Sequence, residues 1–410
     1  MPNPEVVTNY KDSDGVDLGK KLISKDYLIS VYPQIADQLI TPELWIWGYN
    51  GYGNLGTNDT AIRSTPVTTF AGGSNWKQVS GSGSTNIAAI KNDGTLWVWG
   101  SNRFGESGTN LAPSGAVPVY LTPVTTFAGG TNWKQVDSNS FECAAIKTDG
   151  TLWTWGSNYF GLGGIGGGGY RSVPEITFAG GNNWKQVSIG RFYNISAVKT
   201  DGTLWVWGRN AYGNLGTNDT TSRATPVTTF SGGTNWKQVS AGTHNFAAVK
   251  TDGTLWTWGF NNSGQLGIND TTNRLTPVTT FAGGSNWKQV SAGYNHCAAI
   301  KTDGTLWTWG NGGYGGLGTN DGGNRNTPVT TFAGGTNWKQ VSAGTYSTSA
   351  IKTDGTLWTW GSGSSGQLGT NDNTNRYTPS TTFAGGTNWK SVVASYQTVA
   401  IKTSDDLIGI

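Results

Sequence analysis

A sequence repeat that occurs seven times restricts the possible folds of this chain more than any other feature. Each copy holds a Leu-Trp-x-Trp-Gly segment and a later Trp-Lys-x-Val segment, and the last four copies begin 51 residues apart. All 21 Trp residues belong to these two segments. The Leu-Trp-x-Trp-Gly segments begin their Trp pairs at Trp45, Trp97, Trp153, Trp205, Trp256, Trp307 and Trp358. The Trp-Lys-x-Val segments begin at Trp76, Trp133, Trp184, Trp236, Trp287, Trp338 and Trp389. A fixed period near 50 residues with several strand signals per period is typical of a β-propeller. The sequence therefore predicts an all-β fold, a seven-bladed β-propeller of four-stranded antiparallel blades with a short N-terminal extension.

The order of segments within a copy predicts its four strands. Trp-Lys-x-Val forms one strand and leads into a loop that often opens with Ala-Gly. An Ala-Ala-Ile-Lys strand returns, and Asp-Gly predicts a two-residue type I′ reversal into the Leu-Trp-x-Trp strand. A long loop then leads to Thr-Pro-Val-Thr-Thr-Phe, which we place at the outer edge because proline is tolerated there and not at the centre of a sheet.

Two segments at the chain ends lie outside the regular repeat. We divide the chain into residues 1–43, an attachment segment, and residues 44–410, the propeller. Ser24 predicts the start of a short helix that Pro33 would stop, although a disordered leader is the alternative. Residues 44–47 and residues 407–410 both resemble the third strand of a blade. We expect residues 44–47 to pair with residues 399–403 and close the ring, because only they keep both Trp residues.

Composition excludes several classes of function. Charged residues make up 12% of the chain and the formal net charge is +3, without the basic stripe that nucleic acid binding uses. No apolar run reaches the length of a membrane span, and the start lacks the pattern of a secretory signal. We therefore expect no nucleic acid partner and no membrane insertion.

The two sets of loops that share one face differ most between copies. These loops carry aromatic, Arg and His side chains, which binding surfaces favour. The alternative is drift in loops that tolerate change. The candidate binding residues are Tyr49, Phe104, Tyr159, Phe160, Arg191, Phe192, Tyr193, Arg209, His244, Phe260, Tyr294, His296 and Tyr346.

Other residues point to structure and not to chemistry. Asp59, Asp219, Asp270, Asp321 and Asp372 each precede an Arg by four residues, and we expect local ion pairs there, not calcium sites. Cys143 and Cys297 occupy equivalent places and should be small buried hydrophobes. The chain has only two His residues, and no Ser-His-Asp, Cys-His or zinc-ligand set is evident. We predict no catalytic residues, no metal and no cofactor.

The repeat resembles that of the regulator of chromosome condensation, a family of seven-bladed propellers. The resemblance is carried by four features: the segment Leu-Trp-Thr-Trp-Gly, residues 264–267, Arg274 before residues 276–278, and residues 292–293 with His296. It covers residues 44–403 and is specific for fold more than for activity. No insertion matches the wedge of the exchange factors in this family, so exchange activity is not implied.

The N-terminal segment contains Asp-Gly-Val-Asp-Leu-Gly at residues 14–19 and Lys-Asp-Tyr-Leu-Ile-Ser-Val-Tyr-Pro at residues 25–33. In these stretches it is similar to leaders of bacteriophage virion proteins. That resemblance implies a non-enzymatic tail or fibre component, located in the virion and otherwise cytoplasmic. Residues 1–43 would bind other virion proteins, and the variable face would bind a host surface protein or polysaccharide. The alternative is a soluble protein-binding regulator, similar to an exchange factor or an enzyme inhibitor.

Overall fold

Seven four-stranded antiparallel sheets form the propeller in a computed structural model. The structure describes residues 22–23, 42–70, 73–81, 83–111, 119–166, 168–403 and 408–409. Every sheet has the predicted strand composition, so the all-β seven-bladed fold is confirmed. The helix predicted after Ser24 lies outside the described residues.

The blades are numbered 1 to 7 in the order of their inner strands along the chain. The inner strands are Trp76–Ser80, Trp133–Ser138, Trp184–Gly190, Trp236–Ala241, Trp287–Ala292, Trp338–Ala343 and Trp389–Ala394. The second strands are Asn86–Lys91, Glu142–Lys147, Asn194–Lys199, Asn245–Lys250, His296–Lys301, Ser347–Lys352 and Gln397–Thr403. The third strands are Leu96–Ser101, Leu152–Ser157, Leu204–Gly208, Leu255–Gly259, Leu306–Gly310, Leu357–Gly361 and Pro42–Gly48. The outer strands are Val119–Thr125, Tyr170–Ile176, Arg223–Thr228, Arg274–Thr279, Arg325–Thr330, Arg376–Thr381 and Arg63–Thr68.

Two short 3₁₀ turns and one extra strand pair complete the described elements. The 3₁₀ turns are Tyr159–Gly161 and Gly313–Gly315. Leu22–Ile23 pairs antiparallel with Ile408–Gly409. None of the helical segments in the described ranges is long and apolar enough to span a membrane.

Blade 7 closes the ring as predicted. Its inner and second strands come from the C-terminal end of the chain, whereas Pro42–Gly48 supplies its third strand and Arg63–Thr68 its outer strand. Trp45 pairs with Ala400 and Ile46 with Val399. The repeated strands therefore begin at Pro42, two residues before the predicted boundary.

Three Trp residues per blade form the core between blades. In blade 5, the ring of Trp287 lies 6.0 Å from that of Trp307 and 6.4 Å from that of Trp309, both edge to face. The indole N–H of Trp309 donates to the Gln265 carbonyl of blade 4 at 2.9 Å, and Trp309 is fully buried. Lys301 Nζ lies 4.8 Å from the Trp287 ring and 4.4 Å from the Trp307 ring. Large aromatic area and the indole hydrogen bond thus hold each blade to the next, while the cation–π contacts order the Trp residues within a blade.

Glutamine side chains link the inner strands around a central channel. Gln186 Nε2 donates to the Val239 carbonyl of the next blade at 2.8 Å, and its Oε1 accepts from the Val239 N–H at 3.1 Å. The same double bridge recurs at five other junctions, through Gln78, Gln135, Gln238, Gln289 and Gln340. Blade 7 has Ser391 instead, and the Ser391 hydroxyl is buried without a hydrogen-bond partner. The junction that closes the ring therefore lacks the bridge.

The hairpin after the second strand differs from the predicted type I′ turn. Gly94 N–H donates to the Lys91 carbonyl, and Lys91 N–H donates to the Thr95 carbonyl, so the loop has three residues. Gly94 alone takes a positive φ, +80°, because Asp93 instead accepts hydrogen bonds from the Thr95 N–H and hydroxyl. A type I turn with a left-handed glycine results.

The turn after the outer strand exposes one Phe per blade. The strand ends at Thr, not at the predicted Phe, and these side chains remain 65–68% exposed: Phe70, Phe127, Phe178, Phe230, Phe281, Phe332 and Phe383. They lie at the same end of the blades as the Asp-Gly hairpins, which we call the lower face. The lower face is nearly the same in every blade.

Candidate functional site

The two variable loop sets lie together at the opposite end, the upper face. In blade 7 the N–H of Tyr49, just after the third strand, donates to the carbonyl of Tyr396, just after the inner strand. Equivalent bonds join Arg209 to Tyr193 in blade 3 and Phe260 to His244 in blade 4. The predicted arrangement of the loops is therefore confirmed.

One aromatic cluster spans blades 1 to 3. The Tyr193 cluster consists of Phe104, Phe141, Tyr159, Phe160 and Tyr193. The Phe141 and Tyr193 rings stack at 5.2 Å with an interplanar angle of 13°, and Phe160 lies 5.6 Å from Tyr193. Phe104 contacts both Phe141 and Tyr159 edge to face. Phe141 was missed in the sequence, although it holds in blade 2 the position that Tyr193 holds in blade 3.

A second cluster joins blades 3 and 4. The His244 cluster consists of Phe192, Tyr212, His244 and Phe260. His244 stacks on Phe192 at 5.1 Å and lies 4.9 Å from Tyr212. Burial, and then the positive charge of Arg209, lower the pKa of His244 to about 4. At neutral pH His244 is therefore an uncharged aromatic member of the cluster.

A third cluster covers blades 5 to 7. The tyrosine cluster consists of Tyr294, Tyr314, Tyr346 and Tyr396, with Tyr346 at its centre. Tyr346 lies 5.4 Å from Tyr294, 5.2 Å from Tyr314 and 6.5 Å from Tyr396. We call the three clusters together the aromatic crown. Tyr49 instead pairs with Tyr52, at 6.3 Å.

Three crown residues have strained backbones. Phe160, Tyr193 and Tyr314 have φ values of 59°, 62° and 61°. Every other non-glycine residue with positive φ in the described ranges is an Asn, which tolerates this region better. Bulky residues in the left-handed region cost free energy and cluster at functional sites. Among the described non-glycine residues other than Asn, a positive φ is therefore confined to the upper-face loops.

Arg191 reaches across the top of the channel. It belongs to blade 3, but Nη1 donates to the Thr345 hydroxyl of blade 6 and Nη2 donates to the Ser395 hydroxyl of blade 7 at 3.2 Å. Its guanidinium carbon lies 4.8 Å from the Tyr396 ring centroid. Since blade 3 lies opposite these blades in a ring of seven, the side chain crosses the axis.

The other predicted Arg residue stays at the rim. Arg209 lies over the Phe160 ring at 5.7 Å and thereby joins the Tyr193 cluster. It follows the third strand of blade 3 and is half-buried.

His296 does not belong to the exposed surface, which corrects the predicted set. Its ring is only 2% exposed because it lies on the first residue of the second strand of blade 5. Nε2 is 2.9 Å from the Thr348 hydroxyl of blade 6. Burial lowers the pKa of His296 to about 4, so it is a neutral bridge between blades.

The five predicted Asp–Arg pairs are confirmed. Carboxylate and guanidinium lie 2.5–2.6 Å apart in Asp59–Arg63, Asp219–Arg223, Asp270–Arg274, Asp321–Arg325 and Asp372–Arg376. These groups are partly exposed, so each pair contributes little stability and mainly orders its loop.

Buried carboxylates near the upper side of blades 1 and 2 were not predicted. Glu106 and Glu142 are 1% and 2% exposed. Burial raises the pKa of Glu106 to about 8 and that of Glu142 well above its usual value. Cys143 directly follows Glu142 in the chain: its thiol donates to the Glu106 carbonyl at 3.4 Å, and burial raises its pKa. Gln265 and Gln367 occupy the place of Glu106 in other copies, and this substitution was the available signal.

A third unpredicted carboxylate belongs to the inner strand of blade 2. Asp137 replaces the repeated Ser and accepts hydrogen bonds from the Ser80 hydroxyl and the Ile189 N–H. Burial raises the pKa of Asp137 to about 6. Its hydrogen bonds join three neighbouring blades, so its geometry serves packing.

The free thiols are buried as predicted. Cys143 and Cys297 are both fully buried, and each accepts a contact from an Asn of the preceding blade, Asn86 or Asn245. No group of three or more His, Cys, Asp or Glu residues within the described ranges is arranged to hold a metal ion.

Family models match two parts of the chain. A model described as an RCC1-like domain matches residues 197–409, and one for the regulator of chromosome condensation repeat matches residues 76–106. The first covers just over half of the chain.

Two curated proteins illustrate the relatives. The ultraviolet-B receptor UVR8 of Arabidopsis thaliana is 30% identical over 338 residues, covering 81% of this chain and 76% of its own length. The probable E3 ubiquitin-protein ligase HERC4 of Mus musculus is 32% identical over 201 residues. That match covers 48% of this chain and only 19% of HERC4.

A solved structure has the same fold. The crystal structure of Prp20p from Saccharomyces cerevisiae, a protein described by its binding to Gsp1p and histones, superposes with a TM-score of 0.75. The identity is 18%, and the match covers 88% of this chain and 91% of Prp20p. These relatives are cellular proteins, so the virion role suggested by residues 1–43 gains no support from them.

Proposed function

The chain belongs to the RCC1-like domain family, and we propose that it is a non-enzymatic, protein-binding regulator that engages a partner through the aromatic crown. The observation that carries this proposal is the confinement of clustered aromatic side chains, three of them on strained backbone, to one face. Aromatic residues and Arg dominate the energetics of protein interfaces.

Relatives in this family support a protein partner. Prp20p is described by its binding properties to Gsp1p and histones, both of which are proteins. Exchange activity is not carried over, because the sequence has no insertion that matches the wedge. A virion role rests on the leader resemblance alone, and the leader lies almost entirely outside the described residues.

The proposal predicts that binding depends on the crown and not on the lower face. We expect the triple variant Phe192→Ala, Tyr193→Ala and Tyr294→Ala to weaken partner binding at least about a hundredfold, since one hot-spot residue is worth roughly 2 kcal/mol or more. The matched control replaces three exposed lower-face residues, Phe230, Phe281 and Phe332, by Ala.

The measurement has two steps. Affinity capture with the full chain identifies the partner, and titration calorimetry with purified proteins then compares wild type with both triple variants. Binding that survives the crown variant and is lost in the control would place the interface on the lower face and refute the proposal. Deletion of residues 1–41 should leave the affinity unchanged, whereas a virion-anchoring leader would be required for capture.

A further inference from the structure

Arg191 stands alone among the seven copies. The equivalent loop positions in the next three blades hold Thr243, Tyr294 and Thr345. The hydroxyl groups of Thr345 and Ser395 hold its guanidinium over the axis. No repeated feature of the fold requires a cation at this point.

The charge has no carboxylate partner in the described part of the chain. The ion pairs found there involve other Arg residues, and Arg191 is in none of them. Its surroundings are the rings of Tyr294, Tyr346 and Tyr396, and burial lowers its pKa. A partly desolvated charge without a counter-charge costs free energy, which an incoming anion would offset.

A small cavity lies beside the guanidinium. Arg191 lines it together with Ile189, Tyr294 and the Ala-Gly segments of blades 4 to 6, and its volume is about 30 Å³. A single water needs roughly 10–15 Å³ on this scale. The cavity therefore has room for about two to three water-sized groups, which accommodates the two oxygens of a carboxylate.

The guanidinium retains donors for such a group. It carries five N–H donors, and the hydrogen bonds to Thr345 and Ser395 use two of them. A planar fork of this kind matches a carboxylate, which accepts two parallel hydrogen bonds. The backbone N–H groups of Thr243 and Tyr294, by contrast, already donate to Gly293 and Gly344.

We propose that Arg191 is the central anchor of the partner interface and receives the carboxylate of an Asp or Glu side chain that the partner inserts on the propeller axis. This inference rests on the proposed function, because the aromatic crown around Arg191 supplies the apolar part of the same interface. The crown gives contact area, and the single cation on the axis gives specificity for an acidic residue at the centre of the partner's surface.

The first experiment needs no partner and uses acetate as the probe. The chain has nine Arg residues, so the Arg Nε–H region of a ¹H–¹⁵N spectrum is sparse, and the Arg191→Gln spectrum identifies the Arg191 signal. We expect acetate, at constant ionic strength, to shift this signal saturably in the millimolar range. Chloride and inorganic phosphate should shift it at least about fivefold less at equal concentration. Arg209→Gln, which removes a crown cation that lies away from the axis, should leave the acetate titration unchanged.

The second variant separates charge from geometry. Arg191→Lys keeps the charge but not the planar fork, and we expect it to weaken binding of the identified partner about tenfold. Arg191→Gln should weaken it more, and thermal unfolding of both variants checks the fold. An Arg191 signal that does not saturate, or that responds equally to all three anions, overturns the proposal. Partner binding that depends on the crown aromatics but not on Arg191 also overturns it, while leaving the proposed function intact.

Discussion

The seven copies agree at the lower face and in the Trp layers, and they disagree at the upper face and at the junctions near it. Where they agree, the residues hold neighbouring blades together, as Trp287 and Trp309 of blade 5 do by packing with Leu255 of blade 4. Where they disagree, the structure shows strained aromatics, an unpaired cation and buried carboxylates. Residues shared by all copies therefore account for stability. Residues that differ between copies cost stability, and they point either to a function or to sequence drift.

Removing a repeated Trp should produce the largest effect. We expect Trp309→Ala to lower the free energy of unfolding by about 3–5 kcal/mol, because it empties a fully buried site and leaves the Gln265 carbonyl without its donor. Tyr314→Ala, on the crown, is the matched control and should change stability by less than about 1 kcal/mol. Urea unfolding followed by Trp fluorescence and by circular dichroism measures both. Equal losses of unfolding free energy in the two variants would contradict the view that repeated residues contribute more to stability than varied ones.

Replacing Glu106 by Gln, the residue found at this position in other copies, should have the next largest effect on stability. Glu106 keeps its proton when folded, since its pKa rises to about 8, whereas the unfolded side chain titrates near its ordinary value of 4.5. Between those two values the folded state binds more protons than the unfolded state, so stability falls as pH rises. The slope is at most about 1.4 kcal/mol per pH unit for one such group.

Glu106→Gln copies the residue found in blades with Gln265 and Gln367, and it removes this slope. We expect it to stabilise the chain by roughly 1–2 kcal/mol at pH 8 relative to pH 6.5. The unfolded side chains of His244 and His296 titrate near 6.5, so these two groups raise stability between pH 6.5 and 8 and oppose the Glu106 slope. Because this contribution is the same in wild type and in Glu106→Gln, the difference between the two slopes measures the contribution of Glu106. Unfolding free energies at pH 6.5, 7.25 and 8 provide the test. A wild-type stability that rises over this window contradicts the assignment of Glu106 as a buried, protonated carboxyl.

Replacing Ser391 by Gln, the residue found at this position in the other six blades, should have the smallest effect on stability. Six junctions have the Gln bridge and the seventh does not, and the bonds from Gln340 to Val392, just before the gap, are already long at 3.3 Å. Ser391→Gln should extend the bridge to Val79 and add about 0.5–1.5 kcal/mol. The measurement is the urea midpoint. Gln289→Ser, which removes an existing bridge, should lower the midpoint, and an identical response of the two variants would mean that the bridges do not act between blades.

Much of the fold followed from the sequence, because the repeat supplies the same local information seven times. The strands, the edge proline, the ring closure by residues 44–47 and the Asp–Arg pairs all depend on neighbours close in sequence or in the adjacent copy. The hairpin type was wrong because Asp93 accepts hydrogen bonds from Thr95 and so keeps its own φ negative. His296 was assigned to the surface because its loop is exposed, but the residue itself begins a buried strand.

The sequence by itself determined the number of blades and the face on which the copies differ. A period of about 50 residues admits few other architectures, and strand alternation fixes which loops lie at the same end. Only the tertiary structure decided that Arg191 of blade 3 meets Thr345 and Ser395 on the far side of the axis. Closing a ring brings opposite blades together over the channel, and the direction of a loop side chain there depends on backbone torsions that no repeat specifies. The fold was therefore readable from the pattern, whereas the centre of the proposed interface appeared only once the ring was closed.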